Sequence, residues 1–349
     1  MRVVVTGATG NVGTSLLRAF AEDDTVEAVV GIARRKARLD VPKTEWVSAD
    51  VAASDLVPLF RGADAVVHLA WLIQPARDLE HLWRVNVEGS TRVFRAVAEA
   101  GVPALVYASS IGAYSPGPKD RIVDESWPTG GIRTNNYSRE KVEVERRLDR
   151  FEREHPNIRV VRLRPALIFK RESATEQRRI FAGPFVPGSL VRPGLIPLVP
   201  EIPGLVFQAV HSYDIGNAYR LAAVGDAHGA LNVAAPPALD MRTIARLLGA
   251  RTFQLSVRSA RALAALAFHA RLTPIPPSWL DMGVAVPLLD AARAQQELGW
   301  QPQHSGEDAI ADLLSGLRDA AGLDTPPLSP RTSGPGRIRE LVGGLGARE

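Results

Sequence analysis

The sequence predicts an α/β fold: a doubly wound parallel sheet followed by a smaller C-terminal α/β region for substrate. Three observations predict it. Short β-branched runs alternate with helix-like stretches through the first half of the chain. The first run, Arg2–Thr6, passes directly into Gly-Ala-Thr-Gly and then a helix-like segment. The strand-like runs are continuously apolar rather than alternating, as burial on both faces of a parallel sheet requires.

The elements follow in order. Arg2–Thr6 reads as a strand, Thr14–Glu22 as a helix and Val26–Ile32 as the second strand. Glu45–Ser48 is strand-like, Asp55–Arg61 helical and Ala65–Leu69 a further apolar strand. Leu79–Ala100 is a long helical stretch, and Ala104–Ala108 the strand after it. Asn136–Glu154 is a charged amphipathic helix followed by the strand Arg159–Leu163. After Pro165 the pattern changes. Pro184, Pro187, Pro193, Pro197, Pro200 and Pro203 punctuate a loop-rich stretch, because proline breaks both helix and ladder. Met241–Leu248 and Ser259–Ala270 are later helices. The expected organisation is a nucleotide-binding core over 1–165, a mixed substrate region over 166–322 with segments returning to the core, and a Pro/Gly/Arg-rich tail over 323–349. Most of that tail reads as loop, with Ile338–Val342 as a short docked turn.

Composition narrows the function. The 349 residues are 46% hydrophobic and 23% charged, an ordinary globular balance. There is no cysteine, so disulfides, thiolate metal sites and a cysteine nucleophile are excluded. This suits a reducing cytoplasm, the expected location. The net charge is only +4, with basic and acidic residues interspersed as in Arg146–Glu154, so nucleic acid is not an expected partner. No apolar run approaches the ~20 residues of a membrane span, and no membrane partner is expected. The first residues read as a strand rather than a signal peptide. The histidines show no metal-ligand spacing. His68 reads as a structural residue ending a buried strand, and Trp300 as a core anchor.

Thr6-Gly7-Ala8-Thr9-Gly10-Asn11-Val12-Gly13 sits between strand and helix. Such a turn lets backbone approach a pyrophosphate, and the helix N-terminus supplies free N–H groups and a positive dipole end. At the end of the second strand the chain reads Gly31-Ile32-Ala33-Arg34-Arg35. An acid there would take the ribose hydroxyls of NAD; an arginine can pair with the 2′-phosphate of NADP. Arg34 therefore makes NADP the preferred cofactor, with NAD the alternative. Asp50 follows the third strand, where it can accept from an adenine amino group or cap a turn.

Tyr137-Ser138-Arg139-Glu140-Lys141 places a phenol and an ammonium on one helix face. A nearby Lys⁺ is expected to lower the Tyr137 pKa, readying it for proton exchange. Ser109-Ser110 ends the preceding strand, where a hydroxyl can hydrogen-bond a substrate oxygen.

Together these pieces resemble an extended short-chain dehydrogenase/reductase, specifically the NAD-dependent epimerase/dehydratase family. They occur in the family's order over nearly the whole chain. After Thr6–Gly13 come Asp50-Val51, His68-Leu69-Ala70 and Val85-Asn86-Val87-Glu88-Gly89-Ser90. Next are Ser109-Ser110 with Ala113-Tyr114, Tyr137-x-x-x-Lys141, Arg164-Pro165, Val210–Ile215 and Leu298–Pro302. The resemblance implies a Rossmann-like sheet and hydride transfer at a carbinol or ketone carbon. It implies Tyr137 as acid/base, Lys141 on the nicotinamide ribose and Ser110, rather than Ser109, as the substrate-binding hydroxyl. It further implies Asn86 in helix geometry and proton relay, and Gly7, Thr9, Gly10, Asn11, Val12, Gly13, Asp50, Val51, Leu69, Ala70 and Pro165 along the cofactor. His211 would orient a loop. Homodimers of the family pack the helices matching Leu79–Ala100 and Asn136–Glu154.

Several positions depart from the family pattern. Ala33 replaces the usual acid, Trp71 stands where Gly is common, and Ile168-Phe169-Lys170-Arg171 replaces the usual Tyr-Gly-Pro ending. No acid pair for water elimination accompanies Tyr137; Asp124 and Glu125 read as surface loop. Three functions stay open: an epimerase/dehydratase-type enzyme on a small molecule such as a nucleotide sugar, an NADPH-dependent ketone or aldehyde reductase on a non-sugar substrate, and a non-catalytic dinucleotide-sensing regulator.

Overall fold

β1 (Arg2–Thr6) lies inside a seven-stranded parallel sheet, and its three consecutive valines explain why. Val3, Val4 and Val5 are fully buried. Val3 and Val5 face one core layer with Leu16, Leu17 and Phe20 of α1 (Asn11–Ala21). Val4 faces the other layer with Val30, Val66 and Phe94. Each such side chain contributes about 1.5–3 kcal/mol of burial. The computed structural model describes residues 1–35, 37–74, 77–182 and 195–330.

The other sheet strands are β2 (Ala28–Ala33), β3 (Thr44–Ser48), β4 (Ala65–His68), β5 (Ala104–Ala108), β6 (Arg159–Pro165) and β7 (Gly229–Val233). Their spatial order is β7-β6-β5-β4-β1-β2-β3. The order reverses between β1 and β4, which opens a crevice at their C-terminal ends. The Rossmann-like doubly wound sheet expected from the sequence is therefore present. Helix α2 (Gly89–Glu99) and α3 (Asn136–Glu154) cover one face; α1 and α4 (Ser212–Val224) cover the other.

The chain beyond Pro165 returns to this sheet. β7 pairs in parallel with β6, from Gly229 opposite Val161 to Val233 opposite Pro165. Trp300 is fully buried and donates from Nε1 to the Asp214 carbonyl at 2.8 Å. A smaller three-stranded sheet joins Leu167–Phe169, Phe207–His211 and Ala235–Leu239.

Some elements differ from the sequence reading. The Asp55–Arg61 helix shrinks to Val57–Phe60, with Pro58 in its first turn. The stretch read as Leu79–Ala100 is helical from Leu79 to Glu99, with Ala100 as its C-cap, and contains a π-turn, Arg84–Glu88, carrying Asn86. The proline-rich stretch holds a strand, Leu198–Glu201, paired with Arg251–Gln254. Pro200 is tolerated there because a two-stranded ribbon has a free edge. Pro184, Pro187 and Pro193 lie outside the described residues, as does Ile338–Val342. The start of the tail is packed rather than loose: Leu328 is fully buried and the Asp324 carbonyl accepts from the Arg38 amide at 3.3 Å. Among the described residues, no helix is long and apolar enough to cross a membrane, and no cluster could hold a metal ion.

Candidate active site

The turn after β1 shows which glycines the protein needs and which a ligand would need. Gly7 has φ +75°, and an added Cβ would stand 2.6 Å from the Ala70 nitrogen. At Gly13 a Cβ would stand 2.5 Å from the Gly7 oxygen. Both positions are closed by backbone. Gly10 differs, because a Cβ there would meet only the Gly7 oxygen, at 3.5 Å. That space faces outward, and Gly10 caps α1 with no side-chain hydrogen bond to its first-turn amides. Open space beside uncapped amides fits a pyrophosphate. Leu69 donates to the Thr6 carbonyl at 3.0 Å, which places Leu69 and Ala70 along the same turn. Thr9 is buried, and the Asn11 amide holds the Ile168 carbonyl at 3.2 Å.

At the end of β2, Arg34 and Arg35 are exposed. Neither guanidinium has a hydrogen-bond or ion-pair partner among the described residues, although the Arg34 carbonyl accepts from the Ser48 hydroxyl at 2.9 Å. Although Arg35 is largely exposed, partial desolvation and the neighbouring charges of Arg34 and Arg179 push its pKa down. The charges of Arg34 and Arg179 thus act on Arg35 at this strand end, and none of the three is bonded to an acid among the described residues. The sequence pointed to Arg34; Arg179 comes from a helical turn beyond β6 and carries no local signal. Asp50 adopts the turn role: its carboxylate accepts from the Ala52 amide at 2.9 Å. Val51 is buried beneath it.

The catalytic candidates meet at the C-terminal end of β5. The Asn135 side chain caps α3 by accepting from the Ser138 amide at 2.9 Å, which sets Tyr137 in the first turn. Ser110 accepts from the Gly112 amide at 3.0 Å and lies close enough to the Tyr137 phenol for its hydroxyl to favour the phenolate. Ser109 instead donates to Glu145 at 2.5 Å. Geometry therefore puts Ser110 beside the phenol and Ser109 in a structural network. Pro165 ends β6 in register with Val233, and Ala166 donates to the Val233 carbonyl at 2.9 Å.

Lys141 is nearly fully buried and donates to the Ala108 carbonyl at 2.7 Å. Its ammonium lies 3.4 Å from the Trp71 ring centroid and 5.8 Å from that of Tyr137. Burial drives its pKa down to about 7, against the pull of Glu145 and Glu140. The expectation that Lys141 lowers the Tyr137 pKa is not met. Burial pushes Tyr137 up to about 12, the Ser110 bond opposes this, and Glu140 adds to it. Desolvation outweighs a lysine whose charge is directed at Trp71 and Ala108.

Asn86 accepts from the Leu72 amide at 2.7 Å, donates to the Leu72 carbonyl at 2.8 Å and donates to Glu140 at 2.7 Å. It ties the π-turn to the segment after β4 and to α3, and its side chain hydrogen-bonds neither Tyr137 nor Lys141. Glu145 accepts from Arg164 at 2.9 and 2.7 Å and from Arg162 at 3.2 Å. Burial alone would raise its pKa, but the bonds from Arg164 and the charges of both arginines hold it down at about 2. Arg164 also donates to the Tyr114 hydroxyl at 3.0 Å, and Tyr114 donates to Asn232 on β7 at 2.6 Å. Glu125 is half-buried rather than in a surface loop. Its carboxylate accepts from the Asn232 amide at 2.6 Å, because β7 returns beside it. His68 is structural: it bonds Thr6 at 2.7 Å and Ser90 at 2.9 Å, and burial holds its pKa at about 3. His211 caps α4 through Tyr213 and stacks on His304.

In front of Tyr137 is a cavity of about 270 Å³. Leu72, Ile73, Leu79, Leu82, Phe268, Pro276 and Trp279 line it, with Thr134, Asn136, Glu140 and Ser278 as its polar groups. No Lys or Arg lines it among the described residues. The Trp279 ring lies 5.3 Å from that of Tyr137.

The model of the NAD dependent epimerase/dehydratase family matches residues 3–182. An uncharacterised protein of Mycobacterium tuberculosis is 25% identical over 326 residues, covering 93% of this chain; the chain spans 31% of that protein's length. A putative dihydroflavonol 4-reductase of Synechocystis is 32% identical over 129 residues, 35% of this chain and 36% of the relative. Among solved structures, the dTDP-glucose 4,6-dehydratase of Streptomyces venezuelae with NAD bound has a TM-score of 0.68 at 19% identity, covering 91% of this chain and 97% of its own.

Proposed function

Because the chain belongs to the NAD dependent epimerase/dehydratase family, we propose that it is an NADP-linked oxidoreductase that reduces a carbonyl carbon, or oxidises the corresponding carbinol carbon, of an apolar, non-sugar substrate. The observation that carries this reading is Tyr137, with Ser110 beside it, opening on a largely apolar cavity that no Lys or Arg lines among the described residues. A bound nicotinamide dinucleotide supplies hydride donor or acceptor chemistry. The chain's own residues do the rest. Ser110 holds the substrate oxygen by a hydrogen bond, and Tyr137 passes a proton to or from that oxygen. Lys141 contributes charge beside the phenol and binds ribose hydroxyls. Leu72, Phe268 and Trp279 exclude water around the reacting carbon. The first-turn amides of α1 hold the pyrophosphate, and Arg34 with Arg35 and Arg179 takes the 2′-phosphate, which supports NADP over NAD.

A second reading is nucleotide-sugar epimerisation or dehydration, supported by a structural neighbour named as a dTDP-glucose 4,6-dehydratase. The experiment that separates the readings is turnover of NADPH, followed at 340 nm, against alicyclic and aryl ketones, with dTDP- and UDP-sugars analysed in parallel for isomerised or dehydrated product. Consumption of NADPH with a ketone supports the first reading. Product from a sugar nucleotide without net cofactor change supports the second. Dinucleotide binding with no turnover of any of these points to a regulator. We further propose a homodimer through Leu79–Glu99 and α3, with exposed Leu79 and Trp83 at its apolar centre.

A further inference from the structure

Lys170 directly follows the strand Leu167–Phe169 and is 1% exposed, yet its ammonium bonds no carboxylate among the described residues. Its Nζ donates to the Asn11 carbonyl at 2.9 Å, the Thr14 hydroxyl at 2.7 Å and the Ser15 hydroxyl at 2.9 Å. All three acceptors belong to the first turns of α1, the helix whose amide end adjoins the open space at Gly10. All three donors are thus satisfied by neutral oxygens, and the nearby carboxylates of Glu172 and Glu176 act on the charge without bonding it. The charged and titratable groups around it are Arg18 on α1, Tyr213 on α4, and Glu172 and Glu176 on the turns that follow Phe169. Glu172 is occupied by the Tyr213 hydroxyl at 3.2 Å, and the Arg179 charge also acts on Glu176.

A buried cation at the positive end of a helix dipole is unfavourable. The chain retains one there, immediately under the amides suited to a pyrophosphate. An anion bound at those amides would reverse the sign of the interaction.

We propose that Lys170 is a charge-supplying residue of the dinucleotide site: its ammonium, held under the first turn of α1, is a counter-charge for the pyrophosphate, and ligand binding is coupled to its protonation. The proposal rests on the reading of the glycine turn as a dinucleotide site. It assigns to Lys170 a term common to every ligand that carries a pyrophosphate. Arg34, in contrast, discriminates between NADP and NAD. Burial holds the Lys170 pKa at about 8 in the free protein, which puts the coupling within reach of experiment. The sign follows. A bound anion raises this pKa, so affinity is greatest below about pH 8 and falls as pH rises through the free and then the bound value.

The test uses ADP, which carries the pyrophosphate but not the nicotinamide ribose near Lys141. Calorimetry of the full chain at pH 8.5, in two buffers of different ionisation enthalpy, is expected to show fractional proton uptake on binding. Lys170→Met is expected to abolish that uptake and to weaken ADP, NAD and NADP alike, by about tenfold or more, the scale of one partly screened charge pair. A wild-type chain that binds ADP with no proton uptake overturns the proposal, and this measurement does not depend on how the variant folds. A folded Lys170→Met variant with unchanged affinities overturns it too. A wild-type chain that binds none of the three ligands overturns the dinucleotide reading itself, which makes the two failures distinguishable.

Discussion

The Lys141 ammonium lies 3.4 Å from the centroid of the Trp71 indole, closer than it comes to the Tyr137 ring. A buried cation–π contact of this kind is worth about 2 kcal/mol. It competes with any ribose for the lysine. The Trp71 Nε1 is also buried and has no hydrogen-bond partner among the described residues. Dinucleotide binding is therefore expected to alter the surroundings of Trp71. Tryptophan emission should change on titration with NADP, and Trp71→Phe should remove most of the change although five other tryptophans remain. An undiminished signal from Trp71→Phe would place the ribose elsewhere.

Tyr137→Phe keeps the ring between Trp71 and Trp279 and removes only the hydroxyl. Folding and dinucleotide affinity should survive. Turnover should fall by about 10²–10⁴-fold, the range for general acid catalysis. Lys141→Ala should reduce affinity as well as rate, since it removes both the charge and the proposed ribose contact. Single-turnover kinetics alongside binding titrations separate the two effects. Near-normal turnover by Tyr137→Phe would remove the proposed mechanism.

Arg34→Ala should weaken NADP much more than NAD. One charge-assisted phosphate contact is worth about 1.5–3 kcal/mol, or roughly ten- to a hundredfold in affinity. Parallel titrations with both cofactors measure this. Equal losses would mean that Arg34 is a solvated surface charge.

Glu145 predicts an acid transition. Its folded pKa of about 2 lies below the ordinary carboxylate value of 4.5. The stability it contributes is complete above 4.5 and is lost as pH falls towards 2; for such a shift it amounts to about 3 kcal/mol. Glu145→Gln should lose about 3–5 kcal/mol at pH 7, because Arg162 and Arg164 become buried without their shared acid. The variant should then show a shallower decline between pH 4.5 and 2.5. Urea denaturation across that range reads both effects.

Trp83→Glu should convert a dimer into a monomer if the proposed helix pairing holds. Light scattering at micromolar concentration measures the mass. A monomeric wild-type chain would rule out that pairing.

The sequence carried most of the scaffold because its signals were local. α3 runs from Asn136 to Glu154, the limits read from the sequence, since Asn135 caps it and its apolar stripe persists to Phe151. The Gly7–Gly13 turn was legible because strand, glycines and helix are adjacent in the chain. Local pattern failed where a residue answers to distant partners. Lys170 bonds residues more than 150 positions away, so the sequence marks only a departure from a familiar ending. Glu145 looks like one acid on a charged helix until β6 brings Arg162 and Arg164 against it. The Tyr137 pKa was misjudged because spacing reports proximity to a lysine but not the water that both groups lose. The π-turn at Asn86 was hidden within an unbroken helical pattern.

The return of β7 to the sheet bears on how this chain can be divided. Ending it at Pro165 would seem to free a nucleotide-binding half, but β6 would then become an edge strand. Its unpaired carbonyls and amides would invite other chains to dock. The Tyr114 hydroxyl would lose Asn232, and α1 would lose the helix that covers it. Neither half is a spare part: the residues suited to gripping a cofactor and those suited to shaping a substrate chamber share one sheet and one core, so a cut between them would open both.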